Sequence, residues 1–284
     1  MKAPAFKYAR PSSLAETFVL LEHHGDDARI LAGGQSLMPS LNMRLSAPHV
    51  LVDINRIEGL SGVTLADGVL RIGAMTRHVA LEHCPLVAQH APLIASAMPH
   101  VAHAAIRNRG TIGGSLAFAD PAAELPACML ALEARLILAS AKERRAVDAV
   151  DFFQGLFETA LANEEILVEI EVPVAETDTR HGFLELARRH GDYAIVGVAI
   201  NTKLRQGVFS DTRLVCFGVG NVPVLAQNAG AALEGRANNP EVRDDAASAL
   251  ERDLNPPSDL NASAEMRLHL AKVLTRRALE GLRS

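Results

Sequence analysis

Two glycine-rich segments constrain this chain more than any other feature of its sequence. They are Ala32-Gly33-Gly34-Gln35-Ser36, the first glycine turn, and Thr111-Ile112-Gly113-Gly114-Ser115, the second glycine turn. Paired glycines lack a Cβ and accept a positive φ, so successive backbone N–H groups can converge on an anion. Taken singly, either turn is also compatible with a tight structural connection. Two turns of the same pattern predict a chain that binds a nucleotide by its phosphates.

Neither turn matches the two best known phosphate loops. A Walker A loop requires a Lys and a metal-binding Ser or Thr after its glycines, whereas Gly34 is followed by Gln35-Ser36-Leu37-Met38. The segment Gly218-Val219-Gly220-Asn221-Val222-Pro223 begins like a Rossmann fingerprint, but Pro223 stands where the third glycine belongs and ends a helix rather than opening one. Two turns that close on one pyrophosphate from different subdomains would supply donors on both sides without a lysine.

Composition limits the class of protein further. With 284 residues, of which 49% are hydrophobic, the chain can bury a large core and is long enough for two domains. A net charge of -5 without a block of Lys and Arg argues against nucleic acid as a partner. The sequence shows neither a signal peptide nor an apolar run long enough to span a bilayer, so we expect a cytoplasmic protein with no membrane span.

The sequence predicts no metal site in this chain. Cys84, Cys128 and Cys216 lie far apart and form no C-x-x-C pair, which argues against zinc, iron–sulfur clusters and a disulfide framework. The pair His100-x-x-His103 has helical spacing, but no third ligand lies at a matching distance. A packing or hydrogen-bonding role is therefore favoured for these histidines, and any metal redox centre is expected elsewhere.

Charged residues around the second glycine turn allow more than one interpretation. Arg107 and Arg109 precede the turn and could neutralise phosphate or form a solvated polar loop. Asp120 and Glu124 follow it and could act as acid and base or stabilise the start of a helix, and Glu124 could accept hydrogen bonds from ribose hydroxyls. No Ser/His/Asp or Cys/His order stands out, so no catalytic residue is predicted.

Periodicity and turn residues predict an α+β chain. Ser13 with Glu16 is a capping box that opens a helix ending near Gly25, and Asp67-Gly68 suits a type I′ hairpin. Asp120-Pro121 is expected to start another helix, with Asp as the N-cap. Strands are expected at 29–32, 50–54, 63–66, 69–72, 134–138, 166–172, 182–188, 194–204 and 209–218.

The patterns divide the chain into two domains, 1–176 and 177–284, and the first domain into subdomains of about 1–56 and 57–176. Pro173 and the polar run 176–179 mark the main boundary. Three strand-like runs and then three helical patterns follow it. The C-terminal domain is therefore expected to contain a three-stranded antiparallel sheet and a helical bundle.

Four ordered motifs resemble a known family. They are 32–37, 107–115, Asp120-Pro121-Ala122-Ala123-Glu124 and Gly191-Asp192-Tyr193-Ala194. They resemble the FAD-binding medium subunits of molybdenum hydroxylases, as in aerobic carbon monoxide dehydrogenase, xanthine dehydrogenase and bacterial dehydrogenases of N-heteroaromatic compounds. The likeness covers nearly the whole chain. It implies an FAD-binding fold of the vanillyl-alcohol oxidase (PCMH) type in two subdomains, followed by a C-terminal domain of the carbon monoxide dehydrogenase flavoprotein type.

The resemblance also implies how FAD is held. Both glycine turns would bind the pyrophosphate, Glu124 would reach the sugar portion, and Tyr193 would lie by the isoalloxazine. Val101 and Ala102 would approach the flavin or adenine, and Leu167 would line the site. The cofactor-binding residues implied in this way are Ala32, Gly33, Gly34, Gln35, Ser36, Leu37, Val101, Ala102, Thr111, Ile112, Gly113, Gly114, Ser115, Glu124, Leu167, Asp192 and Tyr193.

For function, the resemblance implies an electron-transfer subunit. Substrate would be hydroxylated on a molybdenum cofactor in a large partner subunit, and electrons would pass through two [2Fe-2S] clusters in a small partner to the FAD of this chain and then to an external acceptor. The assembly would be a dimer of heterotrimers. Two rival hypotheses are a self-sufficient FAD oxidase of the same broad fold and a non-enzymatic module that binds another nucleotide.

Two positions depart from the pattern of many relatives. Glu185 stands where they carry Lys, and Leu225 stands where they carry Arg. A negative side chain near the flavin would disfavour the anionic reduced form and lower its potential, provided that Glu185 points inward. We therefore expect the structure around Glu185 to bear on flavin tuning.

Overall fold

The N-terminal part of the chain forms a small parallel sheet covered by a helix. In the computed structural model, which describes residues 2–282, its elements are β1 (Lys7–Ala9), α1 (Leu14–His24), β2 (Ala28–Leu31), α2 (Leu37–Asn42) and β3 (Val50–Asp53). β3 lies between β1 and β2 and is parallel to both. α1 begins where the Ser13 hydroxyl accepts the Glu16 N–H and ends at Gly25, whose φ is 50°, as the sequence predicts.

An antiparallel sheet lies in the middle of the chain. Its strands are β4 (Val63–Ala66), β5 (Val69–Gly73), β6 (Arg135–Ala139), β7 (Arg144–Asp148) and β10 (Ile166–Pro173), and a separate small hairpin contains β8 (Phe153–Gly155) and β9 (Glu158–Thr159). The five strands lie in the order β4, β5, β10, β6, β7. Asp67 and Gly68 join β4 to β5 with φ angles of 51° and 73°, as the predicted type I′ hairpin requires.

Seven short helices accompany this sheet within the described residues. They are α3 (His78–Glu82), α4 (Pro85–His90), α5 (Pro92–Ala97), α6 (Ala104–Arg107), α7 (Ile112–Phe118), α8 (Glu124–Ala131) and α9 (Ala149–Phe152). Every residue of α8 is buried, and α8 packs against α5 and α7. Because α8 is buried on all sides, its sequence shows little amphipathic periodicity.

The prediction that a helix starts at Asp120-Pro121 is wrong. Ala119 ends α7 in the left-handed conformation, with φ 51° and ψ 45°, and α8 begins only at Glu124. The Asp120 carboxylate accepts the Ala122 N–H at 2.9 Å, which makes a local turn instead of an N-cap. The Asp-Pro pair therefore marks the connection between two helices.

The C-terminal part contains a second antiparallel sheet and three helices. The elements are β11 (Thr179–Ala187), β12 (Ala194–Arg205), β13 (Val208–Phe217), β14 (Val224–Leu225), α10 (Gln227–Leu233), α11 (Pro240–Asp253) and α12 (Ala264–Gly281). The three predicted strands and the three helices are confirmed. The described sheet has a fourth strand, because β14 pairs with β13 over two residues. A strand this short leaves no alternation to detect in the sequence.

The C-terminal sheet is covered on both faces. α10 and α12 pack against one face, and α5 and α8 contact the other. Phe183 and Phe217 of this sheet belong to the same hydrophobic cluster as Leu125 of α8. Gly197 is needed there, because an added Cβ would lie 2.0 Å from the ring Cζ of Phe217. The middle and C-terminal parts therefore share one core.

Within residues 2–282, no helix combines the length and apolarity needed to cross a membrane.

Candidate cofactor site

The two glycine turns meet at the edge where β2 and β3 end. A Cβ added to Gly33 would lie 2.4 Å from the Arg109 carbonyl oxygen and 2.8 Å from Gly110 Cα. A Cβ added to Gly114 would lie 3.6 Å from the Ala32 Cβ. Glycine at position 33 thus permits backbone contact between the first turn and the segment that leads into the second. The structure brings together the two segments that the sequence singled out.

The first glycine turn presents unused hydrogen-bond donors. In the described part of the chain, the backbone N–H groups of Gly33, Gly34, Gln35 and Ser36 donate to no protein acceptor. Gly34 has a φ of 72°, the left-handed conformation that glycine adopts without strain, and α2 begins at Leu37. Consecutive free N–H groups without a Cβ between them form a concave site for an anion.

The second glycine turn uses its donors inside the protein, so the prediction of bare amides is wrong for this turn. The bonds run from Ile112 N–H to Thr76 O (3.1 Å), Gly113 N–H to Ala74 O (2.8 Å), Gly114 N–H to Thr111 Oγ1 (3.1 Å) and Ser115 N–H to Thr111 O (3.0 Å). Thr111 acts as the N-cap of α7. The donors that the sequence assigned to a phosphate hold the start of this helix.

The glycines of the second turn instead allow close packing. A Cβ added to Gly113 would lie 2.5 Å from the Ala74 Cβ and 2.7 Å from the Ala74 carbonyl oxygen. Gly113 and Ile112 are both buried. Leu167, which the resemblance places at the site, lies in β10 with 5% exposure, in the same hydrophobic cluster as Ile112. The second turn is thus seated in the core of the middle sheet.

Asn55 and Arg77 connect the two turns, and sequence reasoning missed both. The Asn55 side-chain amide donates to the Ala32 carbonyl oxygen at 2.7 Å. Arg77 donates to the Asn55 side-chain oxygen at 2.5 Å and, through its other terminal nitrogen, to the Arg109 carbonyl oxygen. Asn55 follows β3 at the edge where the carboxyl ends of parallel strands place ligand sites. That position was the available signal in the sequence.

The segment Val101–Ala102 lies against the loop that carries Asp192 and Tyr193. Gly191 has a φ of 85°, and a Cβ there would lie 2.9 Å from the Ala102 carbonyl oxygen. The same Cβ would lie 2.5 Å from the Nδ1 atom of His103. Glycine at position 191 therefore lets the loop between β11 and β12 approach the segment before α6.

Arg107 holds this segment in place and does not serve either role that the sequence left open. Its guanidinium donates to the carbonyl oxygens of Val101 and Ala102 at 3.1 Å and 2.9 Å. It also pairs with Glu82, with 2.8 Å between Nε and Oε2, and only 12% of the Arg107 side chain is exposed. Because its donors are engaged within the protein, Arg107 is a structural residue of the site.

Asp120, Glu124 and Tyr193 form an acidic wall beside the first turn. The Tyr193 hydroxyl lies against the side chains of Asp120 and Ser36, while its ring remains exposed. Burial of the hydroxyl and the charge of Asp120 raise the pKa of Tyr193 to about 12. Burial raises the pKa of Glu124 to about 7, with the charge of Glu185 adding to the effect. Tyr193 is therefore protonated at neutral pH, and Glu124 titrates close to neutral pH.

Glu185 points inward. Its Oε1 atom lies 3.3 Å from Nδ1 of His100, and 5% of the Glu185 side chain is exposed. His100 therefore bonds to a carboxylate, while His103 packs on Gly191, and the two histidines do not form a metal pair. Residues 2–282 contain no group of three or more side chains able to hold a metal ion. Leu225, the other departure, lies in β14 and packs against the shared core.

Comparison with known families decides the assignment. Residues 4–175 match the family described as the FAD binding domain in molybdopterin dehydrogenase, and residues 181–282 match the CO dehydrogenase flavoprotein C-terminal domain. The chain belongs to the FAD-binding medium subunits of molybdenum hydroxylases. This medium subunit is 39% identical over 280 residues to the alpha subunit of the 6-hydroxypseudooxynicotine dehydrogenase complex of Paenarthrobacter nicotinovorans, a match that covers 98% of this chain and 95% of the relative.

Solved structures agree with this assignment. The medium subunit is similar to a chain of carbon monoxide dehydrogenase from Hydrogenophaga pseudoflava, with a TM-score of 0.96, 38% identity and coverage of 99% of this chain and 98% of that one. It is also similar to a chain of quinoline 2-oxidoreductase from Pseudomonas putida 86, with a TM-score of 0.94, 39% identity and coverage of 99% and 97%. The expected α+β flavoprotein fold is thereby confirmed.

The first glycine turn fits one part of FAD well. A pyrophosphate carries negative charge and needs several donors within a small volume, and the free N–H groups of 33–36 provide them where no Cβ intervenes at Gly33 or Gly34. The exposed ring of Tyr193, joined to this turn through Ser36, offers a flat apolar surface for the flavin. The residues present thus suit the cofactor of the family.

Proposed function

We propose that this medium subunit receives electrons from an iron–sulfur partner subunit and passes them through FAD to an external acceptor, while a large partner subunit oxidises the substrate on a molybdenum cofactor. The observation that carries this proposal is the row of free N–H groups in the first glycine turn, beside Tyr193. FAD supplies one-electron and two-electron redox chemistry when bound. The chain itself supplies binding, orientation and electrostatics.

Each segment of the site has a separate part in this proposal. The first turn binds the pyrophosphate through its backbone N–H groups, and the second turn fixes the first in place through Gly33 and Gly114. Glu124 accepts hydrogen bonds from the sugar portion, and Tyr193 covers the flavin ring. Val101, Ala102, Asp192 and Leu167 complete the walls. Arg77, which donates to the Asn55 side chain and to the Arg109 carbonyl oxygen, adds a positive charge behind the turns.

We assign the cofactor to the domain 1–176, with subdomains of about 1–56 and 57–176, and the completion of its wall to the domain 177–284. β10 ends at Pro173 and β11 begins at Thr179, and the connection between them contains the polar run 176–179. The loop that carries Tyr193 belongs to the second domain. The flavin site therefore needs both domains.

Cofactor retention is the first test. Valine at Gly34 must adopt a φ of 72° and would place its Cβ 3.2 Å from the Leu31 side chain, so Gly34→Val should abolish FAD retention. Gly207 is a matched control, because its φ is 78° and a Cβ there meets nothing within 4 Å. Gly207→Val should retain FAD, measured by quenching of flavin fluorescence, while circular dichroism confirms that both variants fold. Full retention in a folded Gly34→Val variant would contradict the phosphate role of the first turn.

The partner subunits are tested by co-purification. An iron–sulfur subunit and a molybdenum subunit should co-purify with this chain. Native mass spectrometry would show whether the complex is a dimer of heterotrimers. Reduction of the flavin by a small substrate in the isolated chain would favour the self-sufficient oxidase instead. A chain that stays colourless after reconstitution with FAD would favour another nucleotide ligand. The cytoplasmic compartment stays a prediction.

A further inference from the structure

A buried group of ionisable side chains extends behind the proposed flavin site. Glu124 begins α8, Glu185 lies near the end of β11, and His100 follows α5. Glu124 is 6% exposed, and the Glu185 side chain is 5% exposed. The His100 ring contacts Glu185, with 3.3 Å between Nδ1 and Oε1, and the charge of His100 acts on Glu124.

One oxygen of this group lacks a partner. The Oε2 atom of Glu185 is buried and accepts no hydrogen bond within residues 2–282. A buried carboxylate oxygen without a donor is unfavourable, and a proton on the group supplies the missing donor. No Lys or Arg in the described chain pairs with Glu124 or Glu185, so His100 is the basic residue that compensates their charge.

Other ionisable groups face the cluster from every packed element. Asp120 adds negative charge from the loop before α8, and the His190 ring stacks on His100 with 6.2 Å between centroids. The Tyr193 hydroxyl and the buried Cys128 thiol also feel the charge of Glu124, and both are neutral near pH 7. Of the three carboxylates, Glu185 is paired with His100 and Glu124 interacts with it through charge, while Asp120 adds further negative charge at Glu124. This excess of negative charge favours the uptake of a proton.

We propose that Glu124, Glu185 and His100 form a proton-holding cluster of the flavin site, which binds one further proton when negative charge is added beside it. The proposal rests on the proposed function, since that charge is the charge of the reduced flavin. The iron–sulfur partner would deliver two electrons one at a time. Together with one proton on the flavin, they add one negative charge to the site. At the cluster, one carboxylate takes up a proton from a hydronium ion of the solvent. The carboxyl O–H bond forms as an O–H bond of the hydronium ion is cleaved, and one water molecule is left.

The cluster can be tested without flavin. Nuclear magnetic resonance of the apo chain should show a raised pKa for the His100 ring, because the hydrogen bond to Glu185 stabilises its protonated form. Glu185→Gln should raise the acid dissociation constant of His100 about tenfold or more. Glu143→Gln, an exposed Glu outside the cluster, should leave it unchanged. An unaltered His100 titration in Glu185→Gln would overturn the proposal.

The loaded protein provides the second test. The dependence of the flavin midpoint potential on pH counts the protons taken up per electron. Near pH 7, wild type and Glu143→Gln should take up about one proton more per two electrons than Glu185→Gln or Glu124→Gln. Equal proton counts in wild type and Glu185→Gln would overturn the cluster. If neither the wild type nor any variant retains FAD, the proposed function is contradicted. The His100 titration in the apo chain then still tests the cluster. If only Glu124→Gln loses FAD, the proton counts of wild type and Glu185→Gln test the cluster.

Discussion

The two glycine turns share a sequence pattern but differ in structure. In the first turn, the N–H groups of 33–36 donate to no acceptor in the described chain, and Gly34 adopts a positive φ. In the second turn, Ile112 and Gly113 donate to the backbone carbonyls of Thr76 and Ala74, which follow β5, and Gly113 packs directly on Ala74. One pair of glycines leaves donors free for a ligand, and the other allows two backbones to touch.

The difference shows that a pair of glycines allows another group to come close to the backbone. Whether that group is a ligand or another backbone segment determines the role of the turn. At the first turn no protein acceptor within residues 2–282 lies opposite the N–H groups, a geometry that suits an anion. At the second turn that space is occupied by Ala74 and Thr76. A substitution at one turn should therefore affect mainly ligand binding, and a substitution at the other should affect mainly folding.

The largest expected effect on folding belongs to the second turn. Gly113→Ala places a Cβ 2.5 Å from the Ala74 Cβ and 2.7 Å from its carbonyl oxygen, where backbone atoms cannot move aside easily. We expect the free energy of unfolding to fall by about 3 kcal/mol, the upper range for overpacking in a core. Urea denaturation measures it, with Gly281→Ala as the control, since a Cβ there meets nothing within 4 Å. Equal urea midpoints for Gly113→Ala and wild type would contradict the role of Gly113 in close packing on Ala74.

At the first turn the largest effect should be on the cofactor. Gly33→Ala places a Cβ 2.4 Å from the Arg109 carbonyl oxygen, so the first turn must move away from the segment that supports it. We expect the Kd for FAD to rise about a hundredfold, roughly 2.7 kcal/mol, with a smaller loss of unfolding free energy than in Gly113→Ala. Equilibrium titration of the apo chain with FAD measures the first quantity. A variant that unfolds earlier than Gly113→Ala yet binds FAD normally would reverse the assignment of the two turns.

The pH dependence of the unfolding free energy should also differ between the two regions, because the first turn contains no ionisable side chain while Glu124 follows the second. The pKa of Glu124 is raised from 4.5 to about 7 in the folded chain. Its stabilising contribution is therefore present below about pH 4.5 and is lost as the pH rises through 7. The raised pKa of His100 acts in the same direction.

Glu124→Gln removes this titration. The unfolding free energy of wild type minus that of Glu124→Gln should decrease by about 2 kcal/mol between about pH 5 and about pH 8. Urea denaturation across this range measures the difference, and Glu143→Gln should show no such trend. A constant difference would mean that Glu124 titrates in its ordinary acidic range.

The smallest effect should come from loss of the hydrogen bond between the Asn55 side chain and the Ala32 carbonyl oxygen. Asn55→Ala removes the donor to the Ala32 carbonyl oxygen and leaves Arg77 without one acceptor. We expect a loss of about 1 kcal/mol in unfolding free energy and about a tenfold weaker binding of FAD. Asn221→Ala is the control, because Asn221 is exposed and lies away from both turns. Wild-type affinity in Asn55→Ala would show that backbone contact alone positions the first turn.

Much of the fold could be predicted from local patterns. The Ser13 cap, the Asp67-Gly68 hairpin and the three long C-terminal strands are specified by neighbouring residues, and all are confirmed. The start of α8 was missed because Asp120 satisfies a turn and an N-cap equally well in sequence. β14 was missed because a strand of two residues has no periodicity.

The site was predictable only in part. The family resemblance implied that the two glycine turns, Glu124 and Tyr193 lie in one region, and the structure brings them together. The use of the second turn's N–H groups depends on Ala74 and Thr76, which are distant in sequence, and no local pattern identifies such partners. Asn55 and Arg77 were missed for the same reason, since their role exists only once β3 and the segment before α7 are adjacent.

The loop with Tyr193 has a consequence for biosynthesis. Gly191 allows this loop to rest on the Ala102 carbonyl oxygen, and the strand that follows the loop is held in the shared core by Gly197 and Phe217. A nascent chain must therefore emerge beyond β13 before the surface opposite the first turn exists. With FAD bound between the first turn and this loop, as proposed above, its insertion would follow the docking of the last third of the polypeptide.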